Sequence, residues 1–296
     1  MKRKTNSGQA LLIVLLSMAV VLIVVLSILA RSVTDVSISF QDENSLRAFS
    51  AAEAGVEQAL IIGSSIGTTE IGNASYNVEV FSVAEGEKEF NYPSALFSGE
   101  SATIWFVAHD EEENYVCTSE KPCFTGRYLK VCWGKEGVET SSSTTPALEL
   151  SVFYTSTLGD YSTVKIARET LDPNGVRRLD NYFSAIDEGI CTISGINYQF
   201  QKTIDFSDLG ILESVYSTQN GLQFMTIRSL YNTNQTLDIG VSVDFPSNSI
   251  LPAQGFMIDS AGISGNANRK IEVFKSFGEI PDVFGFALFS SGLISK

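Results

Sequence analysis

The sequence predicts an α+β protein in which a long N-terminal helix, first transmembrane and then amphipathic, precedes a large and mainly antiparallel β region. Two observations lead to this prediction. Residues 9–30 form a stretch of 22 residues without charge, which is long enough for a membrane helix. From about residue 75 onward, short alternating runs are bounded by Gly, Asn, Ser and Pro, as is typical of strands.

The uncharged stretch 9–30 includes fifteen Leu, Ile or Val residues. At ~1.5 Å per residue, a helix of this length covers the ~30 Å hydrocarbon core of a bilayer. Lys2, Arg3 and Lys4 precede it, and positively charged flanks stay on the cytoplasmic side. We therefore expect a single-pass membrane protein with a lipid-embedded helix, a cytoplasmic N-terminus and an external C-terminal domain. A cleaved secretory signal, the alternative, has a shorter apolar core followed by a small-x-small site.

Residues 31–62 continue the helix as an amphipathic extension. Leu46, Phe49, Val56 and Leu60 recur at helical spacing, which predicts one apolar stripe. The stripe packs either on the chain's own external domain alone or also on neighbouring subunits.

The N-terminal region resembles that of a known family. A short basic leader ends in Gly8, Gln9 opens the apolar helix, and the extension contains an A-F-x-A-A-E-A-G segment. This arrangement resembles PilX-type minor pilins and is similar to the K pseudopilin of type II secretion. The resemblance covers roughly residues 7–62, about a fifth of the chain. Its most specific residues are Phe49, Ala51, Ala52, Glu53, Ala54 and Gly55.

The resemblance implies processing and assembly. In the family, a prepilin peptidase cuts after the Gly, which places the cut between Gly8 and Gln9 and makes residues 1–8 a leader peptide. The mature helix, residues 9–62, then joins a surface filament whose other pilin subunits, together with an inner-membrane assembly platform, are the expected partners. The implied function is structural and non-catalytic: the chain would be incorporated in, prime or cap a type IV pilus-like filament.

One position departs from ordinary pilins. Major pilins have a Glu at the fifth mature position, which neutralises the terminal amine of a neighbouring subunit, and here that position is Ile13. The K-type family has the same substitution, and its members sit at filament tips. We therefore expect a tip or priming subunit. The alternative is an uncleaved anchor that holds an external adhesion or binding module on the membrane.

The external region, residues 63–296, is acidic. The first 62 residues contain five basic and five acidic residues, so the net charge of −14 belongs entirely to the external region. Such a surface repels phosphate backbones, which excludes nucleic-acid binding by a basic patch. The region is large enough for one β domain or for two β subdomains divided near residues 171–190.

Eleven runs in this region are predicted strands. They are Tyr76–Val83, Thr103–Ala108, Tyr128–Trp133, Leu148–Tyr154, Thr163–Ala167, Asn197–Phe206, Leu222–Leu230, Leu237–Phe245, Phe256–Asp259, Lys270–Phe277 and Phe284–Phe289. The last part of the chain, Gly255–Gly262 and then Arg269–Val273, reads as a strand, a Gly-rich turn and a strand.

Four cysteines, Cys117, Cys123, Cys132 and Cys191, lie in the external region, where oxidation is permitted. Four cysteines allow three pairings, and we favour Cys117 with Cys123 and Cys132 with Cys191. Free thiols are the alternative. The Cys-x5-Cys-x8-Cys spacing lacks the tight pairs of a zinc site.

Catalytic and cofactor patterns are weak, and we expect neither an enzyme nor a cofactor. His109 is the one histidine, and no Gly-x-Ser-x-Gly elbow accompanies it. The acidic run 110–113 lacks the spacing and the Gly of a calcium loop, so a solvated loop is expected there. Arg177 and Arg178 follow a Pro-Asn-Gly turn and form either a solvated connection or a contact to an acidic partner.

Overall fold

The computed structural model describes residues 7–110, 112–279 and 281. These residues form two compact units. The anchor unit contains the chain up to Val80 together with Ile258–Val273, and the β unit contains Phe81–Met257 with the residues after Val273. A long apolar helix followed by mostly antiparallel sheet confirms the predicted α+β class.

Helix α1 spans Ser7–Ile62, a length of 56 residues or about 84 Å. Two short helices, α2 at Arg178–Asn181 and α3 at Glu213–Tyr216, lie in the β unit. The strands are β1 Ile66–Ile71, β2 Ala74–Ser82, β3 Glu89–Asn91, β4 Ser101–Trp105, β5 Ala108–His109, β6 Tyr115–Val116, β7 Tyr128–Lys135, β8 Ala147–Thr155, β9 Val164–Leu171, β10 Cys191–Ile193, β11 Ile196–Asp205, β12 Leu222–Leu230, β13 Ile239–Ser242, β14 Gly255–Ser264 and β15 Ala267–Ser276.

One sheet, in the order β1-β2-β14-β15, combines the first two and the last two strands. The β unit contains a five-stranded sheet, β10-β11-β7-β13-β3, a four-stranded sheet, β4-β12-β8-β9, and the small β5-β6 pair. Every strand pair in these sheets whose residue-by-residue register is known is antiparallel. In the pair β12 and β8, for example, Leu222 lies opposite Tyr154 and Leu230 lies opposite Ala147.

The two larger sheets of the β unit share one hydrophobic core. Leu129, Val131 and Trp133 enter it from β7, and Leu150 and Val152 enter it from β8. All five are fully buried. The indole of Trp133 donates a hydrogen bond to the carbonyl of Pro146 at 3.2 Å, so the one polar atom of this side chain is satisfied inside the core.

Several predicted boundaries differ from the structure. β1, β3 and β10 were not predicted, because β1 is mostly polar and the other two have only three residues each. Strands from both sides of residues 171–190 share the same sheets, and the two units divide the chain at other positions. The predicted strand Phe284–Phe289 lies outside the described residues.

The C-terminal hairpin has the predicted order of strand, Gly-rich turn and strand. β14 continues through Gly262 to Ser264, and the turn lies at Gly265, whose φ is +54°. Gly265 provides the left-handed conformation that a two-residue hairpin turn requires. Gly262 lies inside the strand, where it permits close packing.

Both disulfides have the pairing that the sequence favours. Cys117 is bonded to Cys123 and Cys132 to Cys191, and the described chain has no free cysteine. Cys132 and Cys191 lie with Ile193 and Tyr198 in a small buried cluster. The second disulfide thus joins the edge strand β10 to the central strand β7.

Removing the two disulfides separately is expected to give different losses of stability. By loop-closure entropy, the bond across 59 residues contributes ~4 kcal/mol and the bond across 6 residues ~2.4 kcal/mol. The double variant Cys132→Ala/Cys191→Ala should therefore unfold at lower denaturant concentration than Cys117→Ala/Cys123→Ala, as measured by urea unfolding. Equal losses would contradict this ranking.

Candidate functional site

The first part of α1 exposes apolar surface along its whole length. Gly8 and Gln9 lie in its first turn. The Leu, Ile and Val side chains from Leu11 to Leu29 are 49 to 65% exposed, and Ile13 is 65% exposed. Among the described residues, this is the one helix long and apolar enough to cross a membrane, and none of its most apolar segment is buried.

Polar side chains in α1 bond to the helix backbone. Ser17 donates to the carbonyl of Val14 at 2.8 Å, Thr34 to Ala30 at 2.9 Å, and Ser39 to Asp35 at 2.9 Å. Such local bonds satisfy hydroxyl groups without water. Ser17 is therefore compatible with a lipid environment.

The second part of α1 packs through small residues. Its buried positions are Ala48, Ala51, Ala52, Gly55, Val56 and Ala59. They recur at the i, i+3, i+4, i+7 spacing of a single helix face. We call this face the small-residue stripe.

The sequence prediction of the packing stripe was wrong at three of four positions. Leu46, Phe49 and Leu60 are 69, 44 and 41% exposed, whereas Val56 is buried. Large side chains would hold the helix away from the sheet, so the face that docks is the one that permits close approach. The i, i+3, i+4, i+7 spacing identifies the small-residue stripe as the docking face once Ala and Gly are counted together with the large apolar residues.

Two glycines measure how closely the helix and sheet approach. A Cβ on Gly262 of β14 would lie 2.0 Å from the carbonyl oxygen of Ala48 and 2.6 Å from the amide nitrogen of Ala52. A Cβ on Gly55 would lie 2.4 Å from the Ser260 Oγ. At Gly262 backbone thus lies directly against backbone, so a side chain there would displace the helix or the strand, whereas the atoms that surround Gly55 belong to side chains.

Polar contacts fix the register of α1 on the sheet. The buried hydroxyl of Ser260 donates to the carbonyl of Ala52 at 2.8 Å. Arg269 donates from Nε and Nη2 to the Ser45 hydroxyl at 2.9 and 2.6 Å.

The family-motif residues divide between two surfaces. Ala51, Ala52 and Gly55 belong to the small-residue stripe, and Ala54 is half-buried beside it. Phe49 and Glu53 are exposed on the rest of the helix. The motif therefore builds the docking face with its small members and leaves its aromatic and acidic members accessible.

These features define a class of protein: an apolar N-terminal helix that suggests a membrane anchor, followed by a disulfide-bonded β region that suggests an oxidising compartment outside the cell. No protein-family model, curated protein or solved structure matches the chain.

His109 is buried in an aromatic cluster. It is 5% exposed, stacks on Phe277 with ring centroids 3.8 Å apart, and meets Trp105 edge-on at 4.7 Å. Its Nδ1 has no hydrogen-bond partner within the described part of the chain. No carboxylate there orients the imidazole, as a Ser-His-Asp arrangement would require.

Burial lowers the pKa of His109 from 6.5 to about 4. The charges of Glu113 and Asp110 oppose this shift, and that of Lys121 adds to it. The imidazole is consequently neutral at pH 7.

The acidic loop uses its first carboxylate internally. The Asp110 Oδ1 accepts hydrogen bonds from the backbone amides of Asn114 at 2.8 Å and Glu112 at 3.0 Å, and the bonds from Asn114 lower the pKa of Asp110. Within residues 7–110, 112–279 and 281, no group of three or more His, Cys, Asp or Glu side chains could hold a metal ion. Glu111 lies outside the described residues.

Arg177 is committed to its own loop. It forms a bidentate pair with the fully buried Asp172 at 2.7 Å and lies 3.8 Å from the ring centroid of Tyr231. Burial would raise the pKa of Asp172, but hydrogen bonds from Arg177, Asn174 and Asn181 hold it below its ordinary value. Arg177 is thus held in place by Asp172 and by the ring of Tyr231.

Gly262→Ala should destabilise the docking of α1 strongly. Because the new methyl group meets backbone atoms that cannot rotate away, we expect a loss of about 3 kcal/mol, the upper part of the usual range for overpacking. Gly67→Ala is the matched control, since a Cβ there has nothing within 4 Å. Thermal unfolding of both variants measures the effect, and equal Tm values would argue against close packing.

The buried His109 makes stability depend on pH. Its folded pKa lies below its unfolded value, so its contribution is complete above pH 6.5 and is lost as the pH falls toward 4. The loss is at most about 3 kcal/mol, at about 1.4 kcal/mol per pKa unit, and screening by nearby solvent reduces it. In urea unfolding between pH 7 and 4, His109→Phe should show a smaller pH-dependent loss than the wild type. Parallel curves for the two proteins would rule out a buried neutral imidazole.

Proposed function

We propose that this chain is a structural minor pilin or pseudopilin that is incorporated in, primes or caps a type IV pilus-like filament, and that it acts without catalysis. The main support is the division of α1 into two parts. Residues of the small-residue stripe are locked on the sheet of the anchor unit, whereas the segment Leu11–Leu29 exposes apolar side chains. A helix of this kind requires lipid or other helices around its first part.

The division of α1 suggests an assembly mechanism. The apolar segment stays in the bilayer until assembly transfers it into a bundle of similar helices, where packing replaces lipid contacts. Prepilin peptidase, other pilin subunits and an inner-membrane assembly platform are the partners that this mechanism needs. Lys2, Arg3 and Lys4 favour a cytoplasmic N-terminus, so the β unit would be external.

Ile13 supports a position at the filament tip. A carboxylate in the membrane costs a few kcal/mol, and a filament subunit recovers this cost by pairing with the terminal amine of its neighbour. Ile13 avoids the cost and cannot form the pair. A subunit with no neighbour above it has no need of that pair.

An uncleaved, membrane-anchored adhesion or binding module is the second candidate. One observation favours it: the apolar side chains from Leu11 to Leu29 are exposed, as those of an anchor helix in a bilayer would be.

Two measurements separate the candidates. For a pilin, intact mass spectrometry of the native protein should show a chain that begins at Gln9. A chain that retains Met1 to Gly8 would contradict the pilin proposal and support the anchored module.

Photocrosslinking tests the helix contacts directly. A photoreactive residue at Phe40, which is 61% exposed on α1, should crosslink to the N-terminal helix of another pilin subunit, as identified by peptide mapping. The same residue at Leu212, 68% exposed in the β unit, is the control and should not crosslink to that helix. If Phe40 yields no crosslink to any pilin helix, the filament function fails.

A further inference from the structure

An open cleft of about 640 Å³ lies on the β unit. Its walls are the loop that follows β3, represented by Phe97 and Ser98, and residues 232–236 between β12 and β13. The two loops are more than 130 residues apart in sequence.

The cleft walls are held together by backbone and buried side-chain bonds. Leu96 and Leu237 exchange two backbone hydrogen bonds of 2.8 Å. The buried amide of Asn232 donates to the carbonyls of Leu96 and Gln235, each at 3.1 Å, and accepts from the Ser229 hydroxyl at 2.5 Å. The cleft is therefore formed before any ligand binds, which reduces the entropy lost on binding.

The Phe97 side of the cleft is also rigid. The Glu100 carboxylate accepts a hydrogen bond from the Phe97 amide at 2.8 Å, and the Glu100 amide donates to the Phe97 carbonyl at 3.1 Å. This turn holds the Phe97 ring in solvent, where it is 62% exposed.

The chemistry of the cleft is aromatic and polar but uncharged. Besides Phe97, its lining consists of hydroxyl side chains, at Ser98, Thr233 and Thr236, and amide side chains, among them Asn234 and Gln235. No charged residue of the described chain lines it, although the whole protein has a net charge of −14.

These properties select a class of ligand. An ion would find no opposite charge in the lining, and a purely apolar ligand would leave the amides and hydroxyls unpaired. A sugar ring presents C–H groups on one face and hydroxyls at its edge, and each hydroxyl both donates and accepts, as amide and hydroxyl side chains require.

We propose that this cleft binds a neutral saccharide, with Phe97 packed on the face of a sugar ring and Asn234 and Gln235 bonded to its hydroxyl groups. Binding is non-covalent and does not depend on whether α1 enters a filament. The inference therefore stands or falls separately from the proposed function.

The test uses the full chain in lipid nanodiscs, because alkyl glycoside detergents would compete for the cleft. Maltotriose, cellotriose and N,N′,N″-triacetylchitotriose are the neutral probes, and sialyllactose is the anionic one. By ligand-observed NMR and calorimetry, at least one neutral probe should bind and sialyllactose should bind more weakly. Phe97→Ala should weaken the binding by about tenfold, the effect of losing one aromatic contact.

Two further variants show whether an effect of Phe97→Ala is specific to the cleft. Phe81→Ala removes a phenylalanine that is 51% exposed outside the cleft, and it should leave binding unchanged. Asn234→Ala should weaken binding without lowering the Tm, because this side chain is exposed. The proposal is overturned if no neutral probe binds at about 10 mM, a concentration that reveals even millimolar affinity. It is equally overturned if sialyllactose is preferred, or if Phe97→Ala binds like Phe81→Ala.

Discussion

The contact between the backbone of α1 and the backbone of β14 is the constraint on which the anchor unit depends. Gly262 allows Ala48 and Ala52 to lie against the strand, and the Ser260 hydroxyl satisfies the carbonyl of Ala52 in the contact. Once the helix is this close, only small side chains fit along the shared face. The larger side chains of Leu46, Phe49 and Leu60 then face outward.

The same contact explains which sequence patterns were informative. The apolar first part of α1 is identified by composition alone, because fifteen of the 22 residues 9–30 are Leu, Ile or Val. The longer strands, such as β7 and β12, are identified by their branched and aromatic residues. The docking face of α1 is not identified in this way. Hydrophobicity ranks Leu46 and Phe49 above Ala48 and Gly55, whereas close packing on the sheet requires small side chains. Strands of three residues, such as β3 and β10, depend on their neighbours in the sheet and leave no pattern of their own.

Several polar residues of types common in catalytic, metal-binding or partner-binding sites have structural roles in this protein. His109 is a stacked ring within an aromatic cluster, Arg177 neutralises the buried Asp172, and the Asp110 carboxylate organises its own loop. By contrast, the cleft between Phe97 and residues 232–236, which we propose binds a saccharide, is lined by uncharged residues that form no recognisable motif. It could not be predicted from the sequence, because its two walls come together only in the folded chain, through the bridge between Leu96 and Leu237 and the bond from the Asn232 amide to Leu96. Residue type indicates what chemistry is available, but tertiary contacts decide which groups remain free to use it.

The chain passes between the two units three times, after Val80 in β2, after Met257 in β14 and after Val273 in β15, and these three strands are neighbours in one sheet. When a membrane-anchored protein binds a ligand on another surface, a force on that ligand pulls the protein away from its anchor. Here the tension would be shared by three covalent connections that lie on neighbouring strands, rather than concentrated on one linker. Changes within residues 81–257 preserve this sharing as long as the three connections stay side by side.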